Sequence, residues 1–137
     1  YGDSAHKHFI EPTDTRHLVD VANGAAEKVT KHIAWLHLPV PRERDDAAYF
    51  APLENLALSA GTELYLGLVH DTDGKKGTVR RLKAASSVIS NFGIVTECGL
   101  GRRERETIPG LLGIHQELCG CIAADRGWEI FFATLRR

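Results

Sequence analysis

Glu63-Leu64-Tyr65-Leu66-Gly67-Leu68-Val69 is a run of seven residues that runs straight into His70-Asp71-Thr72-Asp73-Gly74. The first part is apolar and rich in strand-forming residues, with no alternation of polar and apolar positions. Such a run predicts a strand buried on both faces, as in a parallel sheet. The second part is a polar turn. After it Thr78, Val79, Leu82, Ala84, Ala85, Val88 and Ile89 recur at helical spacing, which predicts a helix over about 76–90. Asn91-Phe92-Gly93-Ile94-Val95-Thr96-Glu97 then predicts a further strand over about 92–97, broken by Gly99 and Gly101. Strand, helix and strand in about 30 residues is a βαβ unit.

The same alternation extends outward. Leu18, Val21, Ala22, Ala25, Ala26 and Val29 predict a helix over about 14–31, with N-cap candidates in Thr13-Asp14-Thr15. His32 to Pro39 predicts a strand closed by the proline. Asp45-Asp46 predicts the cap of a short helix reaching about Phe50. Ile108, Leu111, Leu112, Ile114, His115 and Leu118 predict a last helix with Pro109 in its first turn, ending near Cys119-Gly120. Trp128 to Leu135 is apolar and aromatic, either a final strand or a segment needing cover. Helices alternating with continuous apolar strands argue for an α/β fold with a parallel sheet.

A chain of 137 residues is one domain by length, large enough to bury a core without disulfide staples. Its formal charge of −1 gives no electrostatic case for nucleic acid or an anionic membrane. No apolar run approaches the roughly 20 residues of a membrane span. Three cysteines do not suggest a disulfide framework, so a reducing, cytoplasmic setting is expected. There is no methionine and residue 1 is tyrosine, so the chain reads as processed or as a piece of something longer.

The predicted strand ends fall at His37, His70 and Cys98. In a parallel sheet these ends share one face, and in a barrel of this kind that face carries the chemistry. Two imidazoles and a thiolate are zinc-ligand types, and a catalytic zinc takes three protein ligands with one position open. Against this, His37 alone reads better as a hydrogen-bonded loop residue, and Cys98 equally as a buried small apolar residue. Arg102 and Arg103 follow two glycines, where guanidinium forks hold a carboxylate or phosphate, or simply form a solvated basic turn. Asp71 and Asp73 either contact substrate or cap the next helix. Cys119-Gly120-Cys121 and His6-Lys7-His8 read as structural and solvated. Gly99-Leu100-Gly101 lacks the third glycine of a dinucleotide fingerprint.

Thr96-Glu97-Cys98-Gly99-Leu100-Gly101-Arg102-Arg103 resembles the Asp-Cys-Gly-Leu-Lys-Thr-Arg stretch that closes cobalamin-independent methionine synthases. Tyr65 to His70 is similar to that family's strand ending in a proton-shuttling histidine. His32 to His37 falls where the family has a strand ending in a zinc-ligating glutamate, and Tyr1-Gly2-Asp3 resembles the residues just after its His-x-Cys zinc motif. Uncharacterised proteins of the same barrel superfamily, which includes uroporphyrinogen decarboxylase, look closer than true synthases. The resemblance covers about 1–120, and the tail 121–137 does not fit it. It implies the C-terminal βα units of a (β/α)8 TIM-type barrel. It also implies zinc-dependent methyl transfer to a thiol such as homocysteine, with Cys98 as a metal ligand, His37 as a substitute ligand and His70 as the acid/base group. Arg102 or Arg103 would hold a substrate carboxylate.

Three parallel strands alone leave two edges unpaired, which a barrel would close. Such a chain is therefore expected to be part of a complete barrel, to associate with a copy of itself or to meet a complementing chain. Two other functions fit the same residues. One is a non-catalytic truncated barrel acting as an interaction or oligomerising module. The other is a metal-free, decarboxylase-like barrel binding a carboxylate ligand through Arg102, Arg103 and Arg105.

Overall fold

A computed structural model describes residues 11–97 and 100–126, without the side chains of Arg102 and 119–126. The order is α1 (Arg16–Lys28), β1 (Trp35–Pro39), α2 (Ala47–Phe50), a 3-10 turn (Ala51–Asn55), β2 (Glu63–Val69), α3 (Gly74–Ser86), β3 (Gly93–Thr96), two 3-10 turns (Leu100–Arg102, Arg105–Thr107) and α4 (Ile108–Arg126). The three strands form one parallel sheet in the order β1-β2-β3. The fold among the described residues is thus mixed α/β with a small parallel sheet, and a closed barrel is not what these residues form. No helix among them is long and apolar enough to cross a membrane. The tail candidate Trp128 to Leu135, and residues 1–10 with Tyr1-Gly2-Asp3 and His6-Lys7-His8, lie outside the described residues.

β2 sits in the middle, and six of its seven residues are buried. This is the outcome of its unbroken apolar run, since a central parallel strand has no solvent face. Leu64, Leu66 and Leu68 join Leu38 of β1, Val40 just after it and Ile94 of β3 in one core. Val19 of α1, Tyr49 and Phe50 of α2, Ala85 of α3 and Leu111 and Leu118 of α4 complete it. Each fully buried leucine contributes about 1.5–3 kcal/mol. β1 is less covered. Trp35, at its start, is 60% exposed.

Helix starts follow local chemistry. The Asp46 carboxylate accepts a hydrogen bond from the Tyr49 backbone N–H at 2.9 Å, so the expected acidic cap of α2 is formed. α1 begins one residue after Thr15, whose side chain makes no cap bond. Asp14 supplies that contact instead, accepting from the Arg16 N–H at 2.8 Å. α4 runs through Cys119-Gly120 without a break, so the helix end expected there is displaced to Arg126. The glycines at 110, 113 and 120 were not enough to stop a helix whose Leu111 and Leu118 face the core.

The start of α3 differs from the expected cap. Asp73 holds the N-cap position of α3 but makes no cap bond. Its carboxylate lies along the helix instead, against Gly77, and reaches Arg81. Asp73, Gly77 and Arg81 are spaced four apart, so they share one face. A methyl group on Gly77 would collide with the Asp73 carboxylate. Gly→Ala inside a helix ordinarily gains about 1 kcal/mol. At Gly77 the sign reverses. Gly77→Ala is expected to lower the urea midpoint, and a higher midpoint would show that Asp73 can move aside without loss.

Candidate functional site

β2 and β3 pair as Tyr65 with Gly93 and Leu66 with Ile94, but next as Val69 with Thr96. Three steps along β2 match two along β3. Unbroken pairing would have set His70 beside Cys98. The extra residue in β2 sets it beside Glu97 instead. The Glu97 backbone N–H donates to the Val69 carbonyl at 3.1 Å, which fixes that alignment. Bulges of this kind re-aim side chains at the ends of strands.

His70 is 4% exposed, with its Nε2 2.9 Å from the Val40 carbonyl and its Nδ1 2.9 Å from Glu97 Oε2. The other Glu97 oxygen, Oε1, accepts from Arg103 Nη2. The result is a chain of four groups from three segments: the end of β1, the end of β2 and the stretch that follows β3. Glu97 is the link with a solvent face, its side chain being one-third exposed.

Both ring nitrogens of His70 therefore face oxygen atoms. A carbonyl only accepts, so Nε2 carries a proton. The Nδ1 contact with Glu97 needs a proton as well, on the ring or on the carboxyl. Burial first, and then the Arg81 guanidinium, lower the His70 pKa to about 4, while the Val40 carbonyl and Asp73 work the other way. The Glu97 carboxylate opposes the lowering too, because it favours a charged ring. A single proton held between Nδ1 and Glu97 satisfies the contact and the ring's reluctance to be cationic.

Beneath this chain lies a buried guanidinium. Arg81 is 0% exposed. Its Nε donates to the Leu68 carbonyl at 2.9 Å, and its Nη1 to the Arg42 carbonyl at 2.7 Å. Nη1 and Nη2 grip the two Asp73 oxygens at 2.6 and 2.8 Å. One side chain thus ties the loop after β1, the body of β2 and the turn after β2. Burial works to raise the Asp73 pKa, but the Arg81 hydrogen bond and charge overcome it and hold the carboxyl below its usual value. Arg80 adds a bond to Asp45 at 2.7 Å from the surface.

The sequence-predicted residues divide as follows. His70 lies at a strand end as expected, and Arg103 lies in the same cluster. Asp73 is committed to Arg81, and Asp71 is exposed. His37 is not at a strand end, because β1 continues to Pro39. His37 pairs with Tyr65, five residues short of His70, which is about 16 Å along a strand. The two histidines are therefore not brought together at one strand end. His37 Nε2 is buried without a hydrogen-bond partner and lies 3.0 Å from where a Gly67 methyl would sit. Cys98 and the side chain of Arg102 lie outside the described residues. Among the described residues no three His, Cys, Asp or Glu side chains form a group able to hold a metal ion. With His70 and Glu97 already bonded to protein groups, the described residues do not fit zinc by themselves.

Sequence reasoning missed Arg81 and the pairing of Glu97 with His70. Asp73, Gly77 and Arg81 at intervals of four carried the first signal. An acid ending one strand and a histidine ending its neighbour carried the second.

His37 and His115 both have pKa values lowered by burial. A lowered folded pKa means that the unfolded chain binds the proton first. The stability these rings contribute is present above their unfolded pKa of about 6.5 and is lost as pH falls through it. Urea midpoints should therefore drop between about pH 7 and pH 5. A midpoint that rises over that interval would contradict the placement of both rings.

Comparison of the chain with protein-family models, with curated proteins and with solved structures gives no match.

Proposed function

We propose that the chain is part of a parallel βα barrel resembling cobalamin-independent methionine synthases, and that the intact protein transfers a methyl or other alkyl group to a thiol such as homocysteine. The observation that carries this reading is the contact of His70 with Glu97 at the C-terminal ends of adjacent parallel strands, one residue before Cys98. Two further features support it. The strands follow one another in sequential order, and among the described residues β1 and β3 each lack a second neighbour.

The chemistry needs a proton store. A thiol must lose its proton before its sulfur attacks carbon. In this reading the Glu97–His70 pair first releases its shared proton to solvent through Glu97, then takes the thiol proton as the sulfur bonds to the alkyl carbon. The bond from that carbon to the donor nitrogen breaks, and the stored proton moves to that nitrogen. Because both ring nitrogens are engaged, Glu97 is the face that exchanges the proton and His70 is the group that sets its affinity. Zinc enters the reading only through Cys98 and groups outside the described residues, and no step above depends on it.

Methyl transfer from a methyltetrahydropteroylglutamate to homocysteine, assayed with the intact protein, tests the reaction. No transfer to any thiol acceptor would reject it. Zinc content of the wild type against Cys98→Ala tests the metal separately, and equal zinc in both removes the metal from the reading.

A further inference from the structure

Arg103 holds Glu97 with only one of the two nitrogens on its side-on edge. Nη2 donates to Glu97 Oε1. Its neighbour Nε points the same way, is buried and has no hydrogen-bond partner. The side chain is 17% exposed. A buried N–H without an acceptor is disfavoured, and the more so on a charged group. The Nε–Nη2 edge of a guanidinium matches the two oxygens of a carboxylate. Here that edge is half used, because Glu97 spends its second oxygen on His70.

We propose that Arg103 is the anchor for a small carboxylate ligand bound at the C-terminal ends of β2 and β3. The ligand takes the Nε–Nη2 edge with both oxygens and displaces Glu97 Oε1 from Nη2. A one-point contact is replaced by a two-point contact, and the orphaned Nε gains its acceptor. Glu97 remains on His70 through Oε2. Displacement also avoids two carboxylates sharing one guanidinium. Arg103 directly follows the 3-10 turn Leu100–Arg102 after β3, with its own N–H donating to the Leu100 carbonyl at 3.3 Å. It therefore approaches the site from a loop, as ligand-holding residues commonly do. The carboxylate class rests on this geometry alone. That the ligand is a reactant rests on the alkyl-transfer reading.

The test is a titration of the full chain with acetate and succinate, and with inorganic phosphate for comparison. The Arg103 Nε–H signal is followed by proton–nitrogen NMR, and affinity by calorimetry. Both carboxylates are expected to move the Nε signal to saturation. Arg103→Gln should weaken binding at least about tenfold, with Arg103→Lys between the two. Glu97→Gln should tighten binding, since a neutral amide competes less for Nη2. Unchanged affinity in Arg103→Gln overturns the proposal, as does an Nε signal that neither carboxylate moves. Phosphate binding more tightly than succinate overturns the carboxylate class. Should Arg103→Gln fail to fold, the wild-type Nε signal and Glu97→Gln still decide. Carboxylate binding without any methyl transfer would reject the enzymatic reading and leave the anchor standing.

Discussion

Replacing Arg81 with leucine should cost about 3–5 kcal/mol of stability, the usual consequence of breaking a buried, hydrogen-bonded ion pair from one side. The magnitude follows from what is left behind. Arg81 donates to the Leu68 carbonyl, the Arg42 carbonyl and both oxygens of Asp73. Leucine fills part of the volume but leaves two backbone acceptors and a carboxylate with less than they had. Asp73 then keeps Arg80, at 3.7 Å. Lysine keeps the charge but has no planar fork, so it cannot serve Leu68, Arg42 and Asp73 together. Arg81→Lys should therefore recover less than half of the loss. Asp73→Asn combined with Arg81→Leu should cost less than the sum of the two single changes, because Asp73→Asn removes the charge that Arg81→Leu strands. Urea unfolding of the four proteins measures this. Additive losses, or a loss for Arg81→Leu of less than about 1 kcal/mol, would mean that the guanidinium is replaceable by water.

β2 was legible because burial on both faces leaves a continuous apolar run, and the run from Glu63 to Val69 is bounded by polar turns. The two flanking strands were legible in kind but not in where they stop. Pro39 marks the end of β1, yet a proline on an edge strand can be the last paired residue rather than the first residue outside. That difference moves His37 from the rim into the body of the sheet. The bulge in β2 was not legible at all. Nothing in Leu66-Gly67-Leu68-Val69 states that three residues will span two, although a glycine in a strand permits it. The space around Gly67 is tight. A methyl there would lie 3.3 Å from the Thr96 carbonyl oxygen and 3.3 Å from Pro39 Cα, on the two neighbouring strands. Strand ends can be placed from sequence, but which two side chains meet across them depends on register. Here one residue of register exchanges a thiol for an acid as the partner of His70. Arg81 was hidden for a different reason. In a helix with several surface lysines and arginines one more arginine reads as surface, although Gly77, Thr78 and Ala85 share its buried face.

Glu97→Gln and His70→Asn should each lower methyl transfer by about 10²–10⁴-fold, the range for loss of a general acid/base. The double variant should be no worse than the more damaged single one. One proton serves both groups. In Glu97→Gln the amide donates to Nδ1, the ring remains neutral with its proton on Nε2, and the shared proton is gone. In His70→Asn the carboxylate keeps Arg103 but loses the partner that sets its proton affinity. Either change empties the same store, so the second has nothing left to remove. Glu97→Asp separates position from charge. Its carboxylate is one methylene shorter and falls short of His70 Nδ1, so activity should fall although the charge is kept. Stability should change little in Glu97→Gln, since Glu97 is partly exposed. Nitrogen NMR supplies a readout that a purely structural role would not move: His70 Nδ1 should shift to the signature of an unprotonated nitrogen in Glu97→Gln. Losses that multiply in the double variant, or an unmoved Nδ1 signal, would mean that His70 and Glu97 act separately and that the proton store is elsewhere.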